Sequence, residues 1–337
     1  MNSHLQTNGP IKSSRYPPRL FGGSAATSCQ IADSHNHVSG ACAYILLNTA
    51  RMPALPISRS TIVTVSLLCA PASLWAAAVC AQDASAWDKE AHAEARLIAG
   101  SAVKTSNADF VRAGVEIRLD PGWKTYWRQP GDSGVPPAFD FGGSENIGAI
   151  QVMWPAPERF PDGAGGNSIG YVGRTVLPLR ISPKDPAKPS TVHLKLSYAI
   201  CGNLCVPAEA NLELALNGDG AEEAAIEKAD LRVPRQVAFG APVDFSIRSV
   251  HREPGGEHDR VTVEVAAPKD ATVELFVEGP TSDWSLPLPE PSGMSGDLRR
   301  FTFDLDGLPP GAKADGAILT FTAVTNDDAI EVPAHLD

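Results

Sequence analysis

The chain has 337 residues, 28 basic and 39 acidic, for a net charge of −11. Hydrophobic residues make up 43% and charged residues 20%, enough apolar surface for two ordinary cores, so a wholly disordered chain is excluded. The acidic excess argues against nucleic acid and anionic lipid as partners, and 29 Gly with 29 Pro suits short strands joined by turns better than long helices.

Residues 1–51 show no period and no turn logic, and Met52 reads as a natural first residue. They are expected to be either a mis-assigned start or a disordered extension. Residues 60–79, STIVTVSLLCAPASLWAAAV, form an uncharged apolar run behind Arg51 and Arg59, and small residues continue to Ala81. This pattern predicts a secretory signal peptide over 52–81, cleaved after Ala81. A membrane anchor is the rival reading; Pro71 and the small-residue exit favour cleavage. Val79 stands where a lipoprotein signal needs a small residue before Cys80.

Removing residues 1–81 takes away five basic residues and one acidic residue. That leaves 23 basic and 38 acidic, a net charge of −15. Cys29, Cys42, Cys69 and Cys80 go as well, so Cys201 and Cys205 are the cysteines that remain. An exported protein with one close cysteine pair sits where such pairs form disulfides.

From residue 92 the pattern is strand and turn. HAEARLIAGSAV is a first strand, and DFVRAGVEIRL alternates and ends at Asp120-Pro121-Gly122. IGAIQVMW follows, closed by Pro155 and Pro157, then TVLPLRI and TVHLKLSYAI with the turn SPKDPAKPS between them. After the cysteines EANLELAL alternates again. This succession predicts an antiparallel β-sandwich over 82–217. Residues 218–231, GDGAEEAAIEKADL, read as a helix, expected to be a linker over 218–235. Five more runs, VDFSIRSVH, RVTVEVAAP, ATVELFVEG, RRFTFDLDG and AILTFTAVT, predict a second sandwich over 236–337. Its Pro/Gly/Ser-rich stretch 280–297 is expected to be a long surface loop.

The chemistry is concentrated at Cys201-Gly202-Asn203-Leu204-Cys205, two β runs joined by three residues. A three-residue hairpin places its flanking residues about 5.5 Å apart, within reach of a disulfide. So short a loop removes little entropy from the unfolded chain, so the bond would be poor glue. An exposed disulfide of this kind is the exchanging sort. Redox exchange is therefore the favoured reading, with a structural bond and a metal site as alternatives. Zinc needs more ligands than two cysteines and a lone strand histidine, His193, supply. A copper(I) site would have only Met153 and Met294 to add. A c-type haem would need CxxCH. Asp132-Ser133, in GDSG, lacks the partners of a hydrolase nucleophile. No cofactor is expected.

Four motifs occur in order: GWKTYWRQPGDSG at 122–134, Trp154-Pro155-Ala156-Pro157, Gly170-Tyr171, and Tyr198 through Glu209. Together they resemble the periplasmic N-terminal domain of the thiol:disulfide interchange protein DsbD, in its ScsB-like branch, over roughly 90–216. The C-terminal sandwich resembles, less distinctly, the second β domain of that branch. The resemblance implies two immunoglobulin-like antiparallel β-sandwich domains in tandem, an all-β fold. It implies a periplasmic location and a catalytic pair, Cys201 and Cys205. That pair would take electrons from a membrane electron transporter or thioredoxin-like donor and pass them to periplasmic thiol-disulfide proteins, with Cys205 forming the mixed disulfide. The donor is expected to be a separate protein, since no transmembrane or thioredoxin-like part follows. In this family an aromatic loop caps the disulfide. The matching stretch 161–167 has no aromatic, so the cap is either looser or supplied by Phe160 or Tyr171. Trp123, Tyr126, Trp127 and Trp154 are expected in the core or lining a partner groove. Asp132 and Glu209 are expected either to tune the thiols or to serve in turns and on the surface. The rival function is a non-catalytic binding module, for metal handling or protein docking, with a structural disulfide.

Overall fold

A computed structural model describes residues 83–104, 109–163, 165–216 and 220–337. The expected N-terminal extension and signal peptide lie outside the described residues. Among the described residues no helix is long and apolar enough to cross a membrane. All of them belong to one compact unit, Leu74–Asp337.

Eleven strands build the first sandwich: β1 (Asp88–Glu90), β2 (Ala93–Lys104), β3 (Asp109–Leu119), β4 (Lys124–Gly131), β5 (Ala138–Asp140), β6 (Ile147–Val152), β7 (Glu158–Pro161), β8 (Asn167–Val172), β9 (Arg174–Pro183), β10 (Ser190–Cys201) and β11 (Cys205–Leu216). One sheet runs β1-β2-β3-β9-β6 and the other β11-β10-β4-β8-β7, with β5 on β10. Alternation sets the faces: along β11, Ala208, Ala210, Leu212, Leu214 and Leu216 point inward while the residues between them are exposed. They meet Leu97, Val115 and Leu179 from the other sheet.

Five of these strands, β1, β4, β5, β7 and β8, do not announce themselves in the sequence. The reason for β4 and β8 is burial on both faces. Thr125, Tyr126 and Trp127 are consecutive and all buried, as are Ser168 through Tyr171, so neither strand has an apolar-polar alternation to read.

The expected linker holds a short helix, α1 (Glu223–Asp230). It is not a free spacer. Ile226 and Ala229 pack on Ile98 and Val176 on the outer face of the five-stranded sheet. Arg112 bonds Glu223 and Glu227, and Arg96 bonds Glu222. The same face buries the Glu116 carboxylate completely, beside Arg96 at 2.7 Å, Arg118 at 3.1 Å and Arg174 at 2.6 Å. Burial pushes the Glu116 pKa up, but Arg96 and Arg174 outweigh it and hold the group below the usual carboxylate range.

The second sandwich contains β12 (Arg235–Gln236), β13 (Ser246–Glu253), β14 (Arg260–Ala266), β15 (Glu274–Glu278), β16 (Glu290–Ser295), β17 (Leu298–Asp304), β18 (Ile318–Val324) and β19 (Ala329–His335). Its sheets run β12-β19-β18-β15 and β13-β14-β17-β16. The pair β12–β19 is parallel and the other pairs are antiparallel. The expected surface loop at 280–297 is corrected here. Trp284, Leu286 and Leu288 are buried, and Glu290–Ser295 forms an edge strand. Apolar residues at every second position are the signal; interleaved Ser and Pro hide it. Pro291 is tolerated because the strand lies at an edge.

The two sandwiches are joined by packing and by charge. Phe276 and Leu288 enter the core of the first sandwich, and the Phe276 ring lies 6.0 Å from that of Trp127. Arg128, beside Trp127, grips Glu278 through two nitrogens at 2.9 and 2.7 Å and also bonds Glu331. Burial works against the Arg128 charge, but the two carboxylates prevail and raise its pKa. Removing the guanidinium would leave two partly buried carboxylates facing each other. Arg128→Ala is therefore expected to cost about 3 kcal/mol of unfolding free energy, measured by urea denaturation, with Arg128→Lys restoring only part because it cannot pair bidentately. A loss below about 0.5 kcal/mol, the range of an ordinary surface change, would show that the apolar contacts alone hold the joint.

Candidate functional site

The long hairpin β10–β11 carries the cysteines at its tip. Its register runs from Ser190↔Leu216 to Cys201↔Cys205, so the two cysteines form the last rung. They are joined as a disulfide with Cα atoms 4.1 Å apart. This is closer than the hairpin estimate because the two residues face each other directly across the ladder. The turn Gly202-Asn203-Leu204 closes with a hydrogen bond from the Gly202 N–H to the Leu204 carbonyl, 3.1 Å.

Register also fixes the face. Ile200 pairs with Thr125, and Thr125 with Tyr171; Ile200 and Tyr171 are core residues. The next row, Cys201, Lys124 and Val172, must therefore point outward. The disulfide thus lies on the outer surface of the six-stranded sheet, away from the core.

On that surface the two sulfurs have unequal environments. Cys201 is 2% exposed and packs with Tyr126 and Ala199. Cys205 is exposed. The Tyr126 hydroxyl reaches both, 2.9 Å from Cys201 Sγ and 3.3 Å from Cys205 Sγ. Burial raises the Tyr126 pKa, so the phenol keeps its proton at neutral pH and can donate it in a hydrogen bond. Gly134, at φ +133°, lays its backbone on the ring; a Cβ there would come within 2.4 Å of Tyr126. Only glycine permits so close an approach in that conformation.

Tyr126 is the site residue that the sequence reading did not single out from the other aromatics. A strand drawn through 124–131 would have separated it from Trp127, since neighbours on a strand face opposite ways. Trp127 is fully buried in the core. Trp154 packs edge-on against Phe139 at 5.8 Å. Trp123 lies beside the cysteine turn.

Of the two aromatic residues expected as a cap, one faces the wrong way. Tyr171 faces the interior, where its hydroxyl donates to the Pro155 carbonyl at 2.8 Å, so it cannot cover the sulfurs. Phe160 is half-buried, its ring 4.3 Å from the Lys124 ammonium. The stretch 161–167 is tied to the loop that carries Gly134: Ser133 Oγ donates to Asp162 at 3.0 Å, and the Asn167 N–H donates to Asp132 at 2.8 Å. Asp132 thus braces a turn. Glu209 pairs with Lys195 at 3.4 Å on the surface, and His193 faces Glu213 at 3.5 Å.

Several exposed aliphatic residues lie on the segments near the exposed sulfur. Leu204 is 71% exposed, Val135 61% and Val172 47%. Val172 shares the Cys201 row, Val135 follows Gly134, and Leu204 precedes Cys205. Three exposed aliphatic side chains thus lie on the segments around the disulfide, with Lys124 between Cys201 and Val172 in their shared row.

Residues 94–217 match the family described as thiol:disulfide interchange protein DsbD, N-terminal. The first sandwich is a domain of the DsbD N-terminal family. The matched segment spans β2 through β11 and so contains both halves of the sandwich, Tyr126 and the cysteine hairpin. The crystal structure of the N-terminal periplasmic domain of ScsB from Proteus mirabilis has a similar fold, with a TM-score of 0.59 at 22% identity, covering 75% of this chain and 98% of that one. That coverage exceeds the DsbD-type segment, so the likeness in fold reaches into the second sandwich. No curated protein matches the chain.

Proposed function

We propose that the protein exchanges thiols and disulfides with other proteins in the periplasm through Cys201 and Cys205. In this reading it takes electrons from a membrane electron transporter or thioredoxin-like donor and hands them to periplasmic thiol-disulfide proteins. The observation that carries it is the asymmetry of the disulfide: one sulfur buried against a phenol, the other exposed beside Leu204. Membership of the DsbD N-terminal family supports the chemistry, and the predicted signal peptide supports the compartment.

The step balances as follows. A donor thiolate attacks Cys205 Sγ, the Cys201–Cys205 bond breaks, and Cys201 leaves as a thiolate beside the Tyr126 hydroxyl. The second donor thiolate then attacks the donor sulfur of the mixed disulfide and releases Cys205. The donor ends as a disulfide, and the pair ends as two thiols after taking two protons from water. Run in reverse against an acceptor disulfide, the same steps return the pair to its oxidised state.

The test is the reduction potential of the native pair, read by thiol alkylation across a glutathione or dithiothreitol series. Exchange requires a value among exchanging dithiols, about −120 to −270 mV. A pair that resists reduction until the protein unfolds would make the bond structural and leave a binding module. Leu204→Asp adds a second readout. It is expected to slow reduction by thioredoxin about tenfold, as loss of one apolar contact worth about 1.4 kcal/mol would, while reduction by dithiothreitol stays unchanged.

A further inference from the structure

We propose that His92 and Trp123 are positioning residues for exchange at Cys205, an inference that rests on the exchange reading above. The His92 imidazole stacks on the Trp123 indole with ring centroids 3.9 Å apart and planes 13° from parallel. His92 Nδ1 lies 3.1 Å from Asp120 Oδ2. Backbone bonds lock the same corner: the Asp120 N–H donates to the His92 carbonyl, and the Trp123 N–H to the Asp120 carbonyl, each at 3.0 Å. The indole in turn lies against the cysteine turn. A Cβ built on Gly202 would stand 3.1 Å from Trp123 Cε2 and 3.2 Å from its Cδ2. Imidazole, indole and turn are thus in contact in series, and the chain segments that carry them are far apart in sequence.

Below the turn the β10–β11 ladder ends at the rung Cys201↔Cys205; beyond that rung there is little to hold it. Its internal hydrogen bond is the one from the Gly202 N–H to the Leu204 carbonyl, and Asn203, Leu204 and Cys205 are exposed. While the disulfide is closed, the bond itself fixes the tip. Once it opens, that tether is gone; the ladder still pairs Cys205 with Cys201, and the wall of Trp123 backed by His92 limits how far the tip swings away from that pairing. The wall therefore sets the effective concentration of one thiol at the other, and with it the equilibrium between dithiol and disulfide. A looser wall disfavours ring closure and moves the potential upward.

Three variants test this, each checked as folded by circular dichroism and equilibrated in a glutathione series. Trp123→Leu is expected to lower the effective concentration about tenfold, an upward shift of about 30 mV. His92→Ala is expected to shift it in the same direction by about threefold, about 14 mV. Trp123→Phe keeps an aromatic face and is expected to stay near wild type. Trp123 also touches the core, so if Trp123→Leu does not fold, His92→Ala carries the test; its side chain is 41% exposed. A purely structural role would lower stability and leave the potential in place. His92→Ala coinciding with wild type, or Trp123→Phe shifting as far as Trp123→Leu, would overturn the proposal. A wild-type pair that no thiol reduces in the native protein would instead remove the exchange reading itself.

Discussion

Cys201→Ala is expected to accumulate a mixed disulfide with a thioredoxin whose resolving cysteine has been removed and whose remaining sulfur is activated as its thionitrobenzoate disulfide, the Cys205 thiolate attacking that sulfur and thionitrobenzoate leaving; Cys205→Ala is expected to accumulate none. The difference follows from burial. A sulfur that is 2% exposed behind Tyr126 cannot reach the sulfur of a docked thioredoxin in line with the bond that breaks. Cys205 stands exposed at the turn with Leu204 beside it. Both variants should lose electron transfer completely, because either one lacks the second thiol needed to release or accept the pair of electrons. They differ only in what is trapped, which non-reducing electrophoresis reads directly. Equal trapping by both variants would mean that the hairpin tip opens enough to expose either sulfur. Trapping through Cys201 alone would reverse the assignment of attacking and resolving roles. The protein's stability should be nearly untouched in both, since the disulfide closes a three-residue turn and contributes little loop entropy.

Much of this was legible in the sequence, and each failure has a physical cause. A strand with one wet face, such as β11, alternates cleanly and could be drawn from the residues alone. The hairpin tip was equally plain, because a cysteine ends one run and another begins the next. What the sequence concealed was burial on both faces. In β4, Trp127 fills the core while Tyr126 lies under the Gly134 loop, so its aromatics read as a cluster and not as a strand with two sides. A different mask, interleaved Ser and Pro, hid the alternating apolar series Trp284, Leu286, Leu288. The helix α1 looked like a spacer, since its Ala-rich face gives no hint of the Ile98 and Val176 surface it covers. The residue pattern located the cysteines and the family resemblance implied that Cys205 forms the mixed disulfide, but neither revealed the burial of Cys201 against Tyr126, because that is a matter of register: one row of the sheet faces the core and the next does not.

Register also explains why Tyr126→Phe should be the most informative change outside the cysteines. In the oxidised protein the hydroxyl spans the two sulfurs at 2.9 and 3.3 Å. When an incoming thiolate takes Cys205, negative charge develops on Cys201, and the phenol is the donor already in place. A hydrogen bond to a charged acceptor is worth about 1.5–3 kcal/mol, and a bond that strengthens as charge appears lowers the barrier more than it stabilises the starting state. Tyr126→Phe is therefore expected to slow reduction by thioredoxin, and by dithiothreitol as well, by about 10- to 100-fold. Leu204→Asp should slow only the first. In a Cys205→Ala background the same change should raise the pKa of the Cys201 thiol by about 1–2 units, followed by thiolate absorbance across pH. The sign follows from which form is favoured: the phenol stabilises the thiolate, so its loss favours the thiol. Removal of the hydroxyl leaves the ring, and with it the packing of Gly134, so the fold should hold. Unchanged rates with an unchanged thiol pKa would reduce Tyr126 to a packing residue and leave the leaving sulfur to be stabilised by solvent. A slowed reaction with an unchanged pKa would place the hydroxyl's effect on access to Cys205 instead.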